Sequence, residues 1–327
     1  MKKRLLYLAL ILSAVTGCNK MNGLVELTDR QSPAGYGDQY AFNSITSSGP
    51  RRVLFDAKHG QTAGNDDWII DQDNNIPQRT PTPLQSSITA TTSENYWTGG
   101  ISAWGIALVK LGLQVETIPS TGSMAFGNTT NAQDLANYDV LVIDEPNIRF
   151  TTAEKTAVLN FVKSGGGLFM IANHSGSDRN SDGWDAPAIW NDLMSSNSVQ
   201  ANPFGIRYDL LNFSETSSNV ATTVNPLTNG SQGKITSLKY SSGSSMTLTS
   251  GSAARGVIWR TGTSQGLTRV MAAYSTYGNG KIVAMCDSSP SDDGTGAPNN
   301  TLYKGWTDLS GNHSRLHLNA TLWLARL

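Results

Sequence analysis

Gly165, Gly166 and Gly167 feed the apolar run Leu168-Phe169-Met170-Ile171-Ala172, which empties into Asn173-His174-Ser175-Gly176-Ser177-Asp178-Arg179-Asn180-Ser181-Asp182-Gly183-Trp184-Asp185. A short unbroken apolar run, bounded by glycine on one side and turn-forming residues on the other, reads as a strand buried on both faces. Such strands belong to parallel sheets covered by helices, and those sheets gather ligands at the carboxyl ends of their strands. The stretch therefore constrains the chain to a layered α/β class and puts a candidate site just after residue 172. It does not name a reaction.

The same alternation recurs upstream. Val53-Leu54-Phe55-Asp56 is an apolar strand that opens into a polar loop, Lys58 to Trp68. From Trp97 to Leu111 the apolar residues Ile101, Trp104, Ala107, Leu108 and Leu111 recur at three or four, predicting a helix closed by Gly112. Val115 to Ile118 and Tyr138 to Pro146 supply two more strands, the second leaving on the carboxylate pair Asp144-Glu145. Thr151 or Thr152 caps a helix with Glu154 in its first turn and Gly165 past its end, and Ala186 to Met194 is the next helix. These elements predict a doubly wound, flavodoxin-like α/β fold with a mostly parallel sheet and antiparallel additions in the second half. Residues 203–262 hold short β-like runs, Thr236 to Tyr240, Met246 to Thr249 and Val257 to Arg260, and read as a β-rich insertion or edge. Arg269 to Tyr274 and Lys281 to Cys286 are joined through Asn279-Gly280, a hairpin signal. A last helix, Ser314 to Arg326, sets Leu316, Ala320, Trp323 and Leu324 on one face.

The N-terminus reads as a processing signal. Lys2, Lys3 and Arg4 precede an apolar core, Leu5 to Ala14, too short to span a bilayer, and Val15-Thr16-Gly17-Cys18 follows. This pattern is similar to a bacterial lipoprotein signal, with cleavage before Cys18 and lipid on its thiol. The expected domains are a signal peptide at 1–17, a Ser-, Gly- and Asn-rich tether at 18–50 and one α/β domain at 51–327. The expected location is exported and anchored by lipid, at the outer membrane since Asn19 follows the cysteine. With Cys18 lipidated, Cys286 is the one remaining thiol and no disulfide framework is possible. A formal charge of −1, more negative once the three leading cations are cleaved off, offers no electrostatic footprint for nucleic acid.

Several segments together, Gly165 to His174, Asn225-Pro226-Leu227-Thr228, Tyr277 to Lys281 before a strand ending Asp287-Ser288-Ser289, and the closing Asn319 to Ala325, resemble the class I glutamine-amidotransferase-like superfamily. The nearer branches are the ThuA-like proteins and the domain shared by gliding-motility and intraflagellar-transport proteins. The resemblance runs from Arg52 to Leu327. Amidotransferases carry a nucleophilic Cys on the sharp turn after the central strand, where this chain has His174, so it implies the fold without the amidotransferase reaction. ThuA-like proteins often show a His near this point.

Candidate site residues fall at the predicted strand exits. Asp56 and His59 leave the first strand, His174 the central one and Asp287 the late one; as imidazole and carboxyl groups at one end of a parallel sheet they are expected to serve as acid and base. Asn173, Arg179 and Asp66 are expected to bind substrate, with Trp68 and Trp184 as aromatic faces of the kind that suit a sugar; ordinary core packing is the equal reading of the two indoles. Asp178-Arg179-Asn180-Ser181-Asp182-Gly183 fits the opening of a calcium loop, with oxygen side chains at positions one, three and five and Gly at six. The Glu expected at position twelve is Ile189, so a metal, Ca²⁺ first, would borrow Asp185 and Asp292; an Asx-rich turn that caps the backbone is the other reading. Two functions follow: a lipid-anchored hydrolase, metal-dependent or not, acting on a glycan, or a non-catalytic ligand-binding or scaffold lipoprotein with the same cleft.

Overall fold

A computed structural model of the chain describes residues 49–61, 68–296 and 303–327. Cys18, the leader, most of the tether and Asp66 lie outside these residues. Four strands leave in the same direction: β1 (Arg52–Asp56), β2 (Gln114–Ile118), β3 (Val140–Asp144) and β4 (Gly167–Ile171). Their spatial order is β2-β1-β3-β4, and β9 (Gly280–Met285) joins parallel to β4 as the fifth. This is the doubly wound, flavodoxin-like order.

From β9 onward the sheet turns antiparallel. β8 (Val270–Tyr277) pairs with β9 across the predicted Asn-Gly turn, with Tyr277 opposite Gly280. Beyond it come β6 (Met246–Leu248) and β5 (Ile206–Tyr208), while β7 (Arg255–Trp259) also pairs with β8. Thus 203–262 is an antiparallel extension of the main sheet, with a separate ribbon of Phe213–Ser217 against Leu238–Gly243.

Helices α1 (Ser102–Lys110) and α4 (His313–Leu324) lie on one face, where Trp104 sits 4.8 Å from His317. Helices α2 (Thr152–Ser164) and α3 (Ala186–Ser195) pack together elsewhere, with Lys155 on Asp192 at 2.7 Å. Alternation along β1 separates the two sets: Phe55 meets Trp104 of α1, and the next residue, Asp56, turns the other way toward α2. Helix α1 starts five residues later than its apolar period predicts, because Gly99 is pressed against the Ile69 and Ile70 backbone, where a Cβ would lie 2.0 Å from the Ile69 oxygen.

The glycine triplet has a steric cause. Gly165 closes α2 at φ 130°, and a Cβ at Gly166 would stand 2.3 Å from the Phe161 ring, one at Gly167 2.8 Å from Leu324. The strand that follows is therefore wedged between α2 and α4, and all five of its residues are buried. Capping fixes the helix starts. Thr151 and Glu154 form the reciprocal box of α2, and Asp185 accepts the Ala188 N–H at the start of α3.

Candidate functional site

The shared direction of β1, β3, β4 and β9 brings their exits to one end of the sheet, and hydrogen bonds join them. Glu145, just past β3, accepts from Arg179 Nε at 2.6 Å and from Ser288 Oγ at 2.5 Å, linking the loop after β4 to the segment after β9. Asn147 accepts the Arg179 N–H on Oδ1 at 3.0 Å, and its carbonyl accepts Asn180 Nδ2 at 2.6 Å. Glu145 is held at φ 48°, a left-handed conformation uncommon for a residue with a side chain. Its two side-chain bonds keep it there.

His59 and Asp56 come together as predicted, but inside the protein. His59 Nδ1 donates to Asp56 Oδ2 at 2.7 Å, Nε2 faces Glu154 Oε2 at 3.5 Å, and the ring lies 4.2 Å from Phe150; only 1% of His59 is exposed. Burial alone would lower its pKa, yet the Asp56 carboxylate, helped by Glu154, pushes it up to about 9. Glu154 answers in the opposite direction. Burial raises its pKa, but bonds from His59 and Thr151 outweigh that and hold it at about 2.

Across the sheet the carboxyl groups have no such base. Asp144 shares a face with Phe55 and Phe169, since Val142 pairs with both, and so points toward α1 and α4. It accepts from Ser291 at 2.6 Å through Oδ2, while Oδ1 is buried without a hydrogen-bond partner. Burial pushes its pKa well up, and Glu145, Asp287 and Asp292 add to that against the Ser291 bond. Asp287 accepts the N–H groups of Ser289 and Ser241 at 2.9 and 2.6 Å; burial still outweighs these and raises it to about 6. Ser241 and Ser289 also line a cavity of about 100 Å³ with Lys304 and His313.

His174 lies on the long loop 172–185, with α3 starting only at Ala186, and so not on a tight strand-to-helix turn. Its Nδ1 is 2.8 Å from the Ser175 carbonyl. A carbonyl can only accept, so this contact asks for a proton on Nδ1, whereas Asn212 Nδ2, itself a donor, asks for a lone pair on the same atom. The Asn212 amide stands 3.1 Å from the same Nδ1. His174 is half-buried, and among the described residues it shares no hydrogen bond with Asp56, His59 or Asp287.

The other expected residues are placed as follows. Asn173 is buried and accepts the His174 N–H at 2.9 Å. Trp68 is buried, and the Trp184 face is covered by the Arg149 guanidinium at 3.8 Å, so neither indole lies open as a sugar platform. Asp178 accepts the N–H groups of Asp182 and Gly183, Asp182 accepts that of Trp184, and Asp185 holds Gly176 and Ala188. This is the geometry of the Asx-rich turn. Asp292 accepts the Gly294 N–H at 2.7 Å, remote in sequence from that turn. Among the described residues no three His, Cys, Asp or Glu side chains are grouped so as to hold a metal ion.

Sequence reasoning passed over Asp144, Glu145, Asn147, Glu154 and Ser288. The signal for the first two was present, a carboxylate pair at the end of an apolar strand. Glu154 was legible only as a helix cap, a role it combines with pairing to His59.

No protein-family model matches the chain, and no curated protein matches it. Among solved structures, the N-terminal domain of mmIFT52 superposes with a TM-score of 0.46 at 15% identity, covering 84% of this chain and 97% of that one. The cytoplasmic protein STM3548 of Salmonella typhimurium gives 0.47 at 14%, covering 84% and 98%. A protein described as ThuA-like from Parabacteroides merdae gives 0.41 at 11%, covering 84% and 90%. At these values the likeness carries no statement about activity.

Proposed function

We propose that the carboxyl end of this sheet is the reaction centre of a hydrolase acting on a glycan, with His174 moving the proton. The observation that carries the reading is the half-buried His174 ring on the loop that follows β4, held at Nδ1 by the Ser175 carbonyl and the Asn212 side chain. The loop bearing it is tied by Arg179, Glu145 and Ser288 to two other strand exits. A positioned general base contributes about 10²–10⁴ in rate. Against a panel of glycans and esters, His174→Ala is expected to lose about a hundredfold or more with an unchanged circular dichroism spectrum. A wild type that turns over none of the panel removes the reading.

A second reading, a ligand-binding or scaffold protein, is favoured by how fully Asp56, Glu154, Asp178 and Asp287 are committed to other groups of the chain. It expects binding on a glycan array without turnover. Lipid on Cys18, export to the outer membrane and Ca²⁺ at Asp178, Asn180 and Asp182 belong to the same proposal. Intact mass of membrane-extracted protein reports the first. An EDTA melting curve reports the last, since a cation bound at a hundredfold excess over Kd adds about 2.7 kcal/mol. An unacylated N-terminus, or an unmoved melting curve, removes each in turn.

A further inference from the structure

His59 touches more of the carboxyl end than an internal ion pair needs to. Its ring joins Asp56, at the end of β1, to Glu154, in the first turn of α2. Its carbonyl accepts two backbone N–H groups, those of Asn147 at 2.6 Å and Ile148 at 3.0 Å. Gly60, at φ 80°, allows that approach, since a Cβ there would stand 3.2 Å from the Asn147 Cβ. Asn147 in turn holds the Arg179 N–H and the Asn180 side chain, the start of the loop that follows His174. Asn147 Nδ2 also donates to the Glu145 carbonyl at 3.0 Å, bracing the left-handed residue. One buried ring thus stands under the turn 145–151, and that turn clasps the loop 174–185.

We propose that His59 is a positioning residue held as an imidazolium between Asp56 and Glu154, and that its charge sets the placement of Asn147 and, through it, of Arg179. Among the described residues the charged groups facing the ring are Asp56 from β1 and Glu154 from α2, with Lys58 3.7 Å from Glu154 on the far oxygen. Phe150, from the turn itself, supplies an uncharged wall that excludes water. Two carboxylates against one ring favour the proton on it, in agreement with a pKa of about 9. When the ring loses that proton, one of its two carboxylate contacts loses its donor. The strain falls on the short covalent path to the His59 carbonyl.

The inference rests on the carboxyl end being the functional site, but its test does not use activity. In the full chain, the His59 ring carbons and the backbone amides of Asn147 and Arg179 are followed by nuclear magnetic resonance from pH 6 to 10.5. The expected result is one midpoint near 9 shared by all three. Glu154→Gln, which keeps the helix cap's shape and removes one carboxylate, is expected to lower the His59 midpoint and to carry the two amides down with it. A His59 midpoint at or below the ordinary 6.5, or amides that do not follow it in wild type and E154Q, would falsify the proposal. Failure of the His174→Ala comparison leaves these titrations untouched, so the two claims fall separately.

Discussion

Two buried polar clusters occupy the same end of one sheet, on opposite faces, and they solve the cost of burying charge differently. Beneath α2, Asp56, His59 and Glu154 place one base between two acids. Beneath α1 and α4, Asp144 sits among Asp287, Asp292 and Glu145, and the Arg179 guanidinium there is bonded to Glu145. An isolated buried carboxylate is costly, so an unpaired group keeps its proton. The first cluster sets a base between two acids and serves as a fastening; in the second, burial raises the pKa of Asp144 and Asp287.

The contrast is broken most forcefully by removing the base. His59→Ala leaves Asp56 buried with Gln61 as its remaining side-chain donor at 2.9 Å. Deleting one partner of a buried pair costs about 3–5 kcal/mol. Denaturant unfolding is expected to show a loss of that size. A loss under about 1 kcal/mol would mean that the cluster is not a fastening at all.

The pH dependence of stability separates the clusters more finely. The folded-state pKa of His59 is raised from 6.5 to about 9, so its contribution is full below 6.5 and is lost as pH rises through 9. Asp287 is raised from 3.8 to about 6, so its contribution is full below 3.8 and is lost as pH rises through 6. Glu154 runs the other way: lowered from 4.5 to about 2, it contributes above 4.5 and loses that as pH falls through 2. Stability should therefore fall in two separate limbs as pH rises, one ending near 6 and one near 9. In a His59→Gln variant the later limb is expected to vanish and the earlier to persist. Loss of both limbs together would show that the two clusters titrate as one.

How much of this could be read in the sequence follows from what each residue answers to. The strand runs at Val53, Val140, Leu168 and Ile282 were legible because both faces of a central parallel strand are buried, and their neighbouring order emerged as expected. A cap at Thr151 or Thr152 with Glu154 in the first turn of α2 was legible because capping is local. Whether Trp68 and Trp184 are sugar faces or core was left open by the sequence because exposure depends on residues far along the chain; nothing near Trp184 says that Arg149 lies on it. Asp144 and Glu145 were seen as a pair and not as a site, since only the register of β3 between β1 and β4 sends Asp144 to one face and leaves Glu145 in the left-handed turn.

The smallest effect, and the one that sharpens the comparison most, concerns Asp144. An Asn there keeps an acceptor for the Ser291 hydroxyl and offers, in place of the orphaned Oδ1, an amide donor to a neighbourhood of carboxyl groups. It also removes a group whose ionisation the fold resists. Because the folded-state pKa of Asp144 is raised, wild type and Asp144→Asn should differ little below pH 3.8, and the variant should gain as pH rises, reaching about 1 kcal/mol near neutrality, the order of one hydrogen bond. The same change at Asp56, which is bonded by a base, is expected to destabilise. If D144N instead loses stability at pH 7, then Asp144 is paired with a cation after all, and the two faces of the sheet do not differ in the way argued.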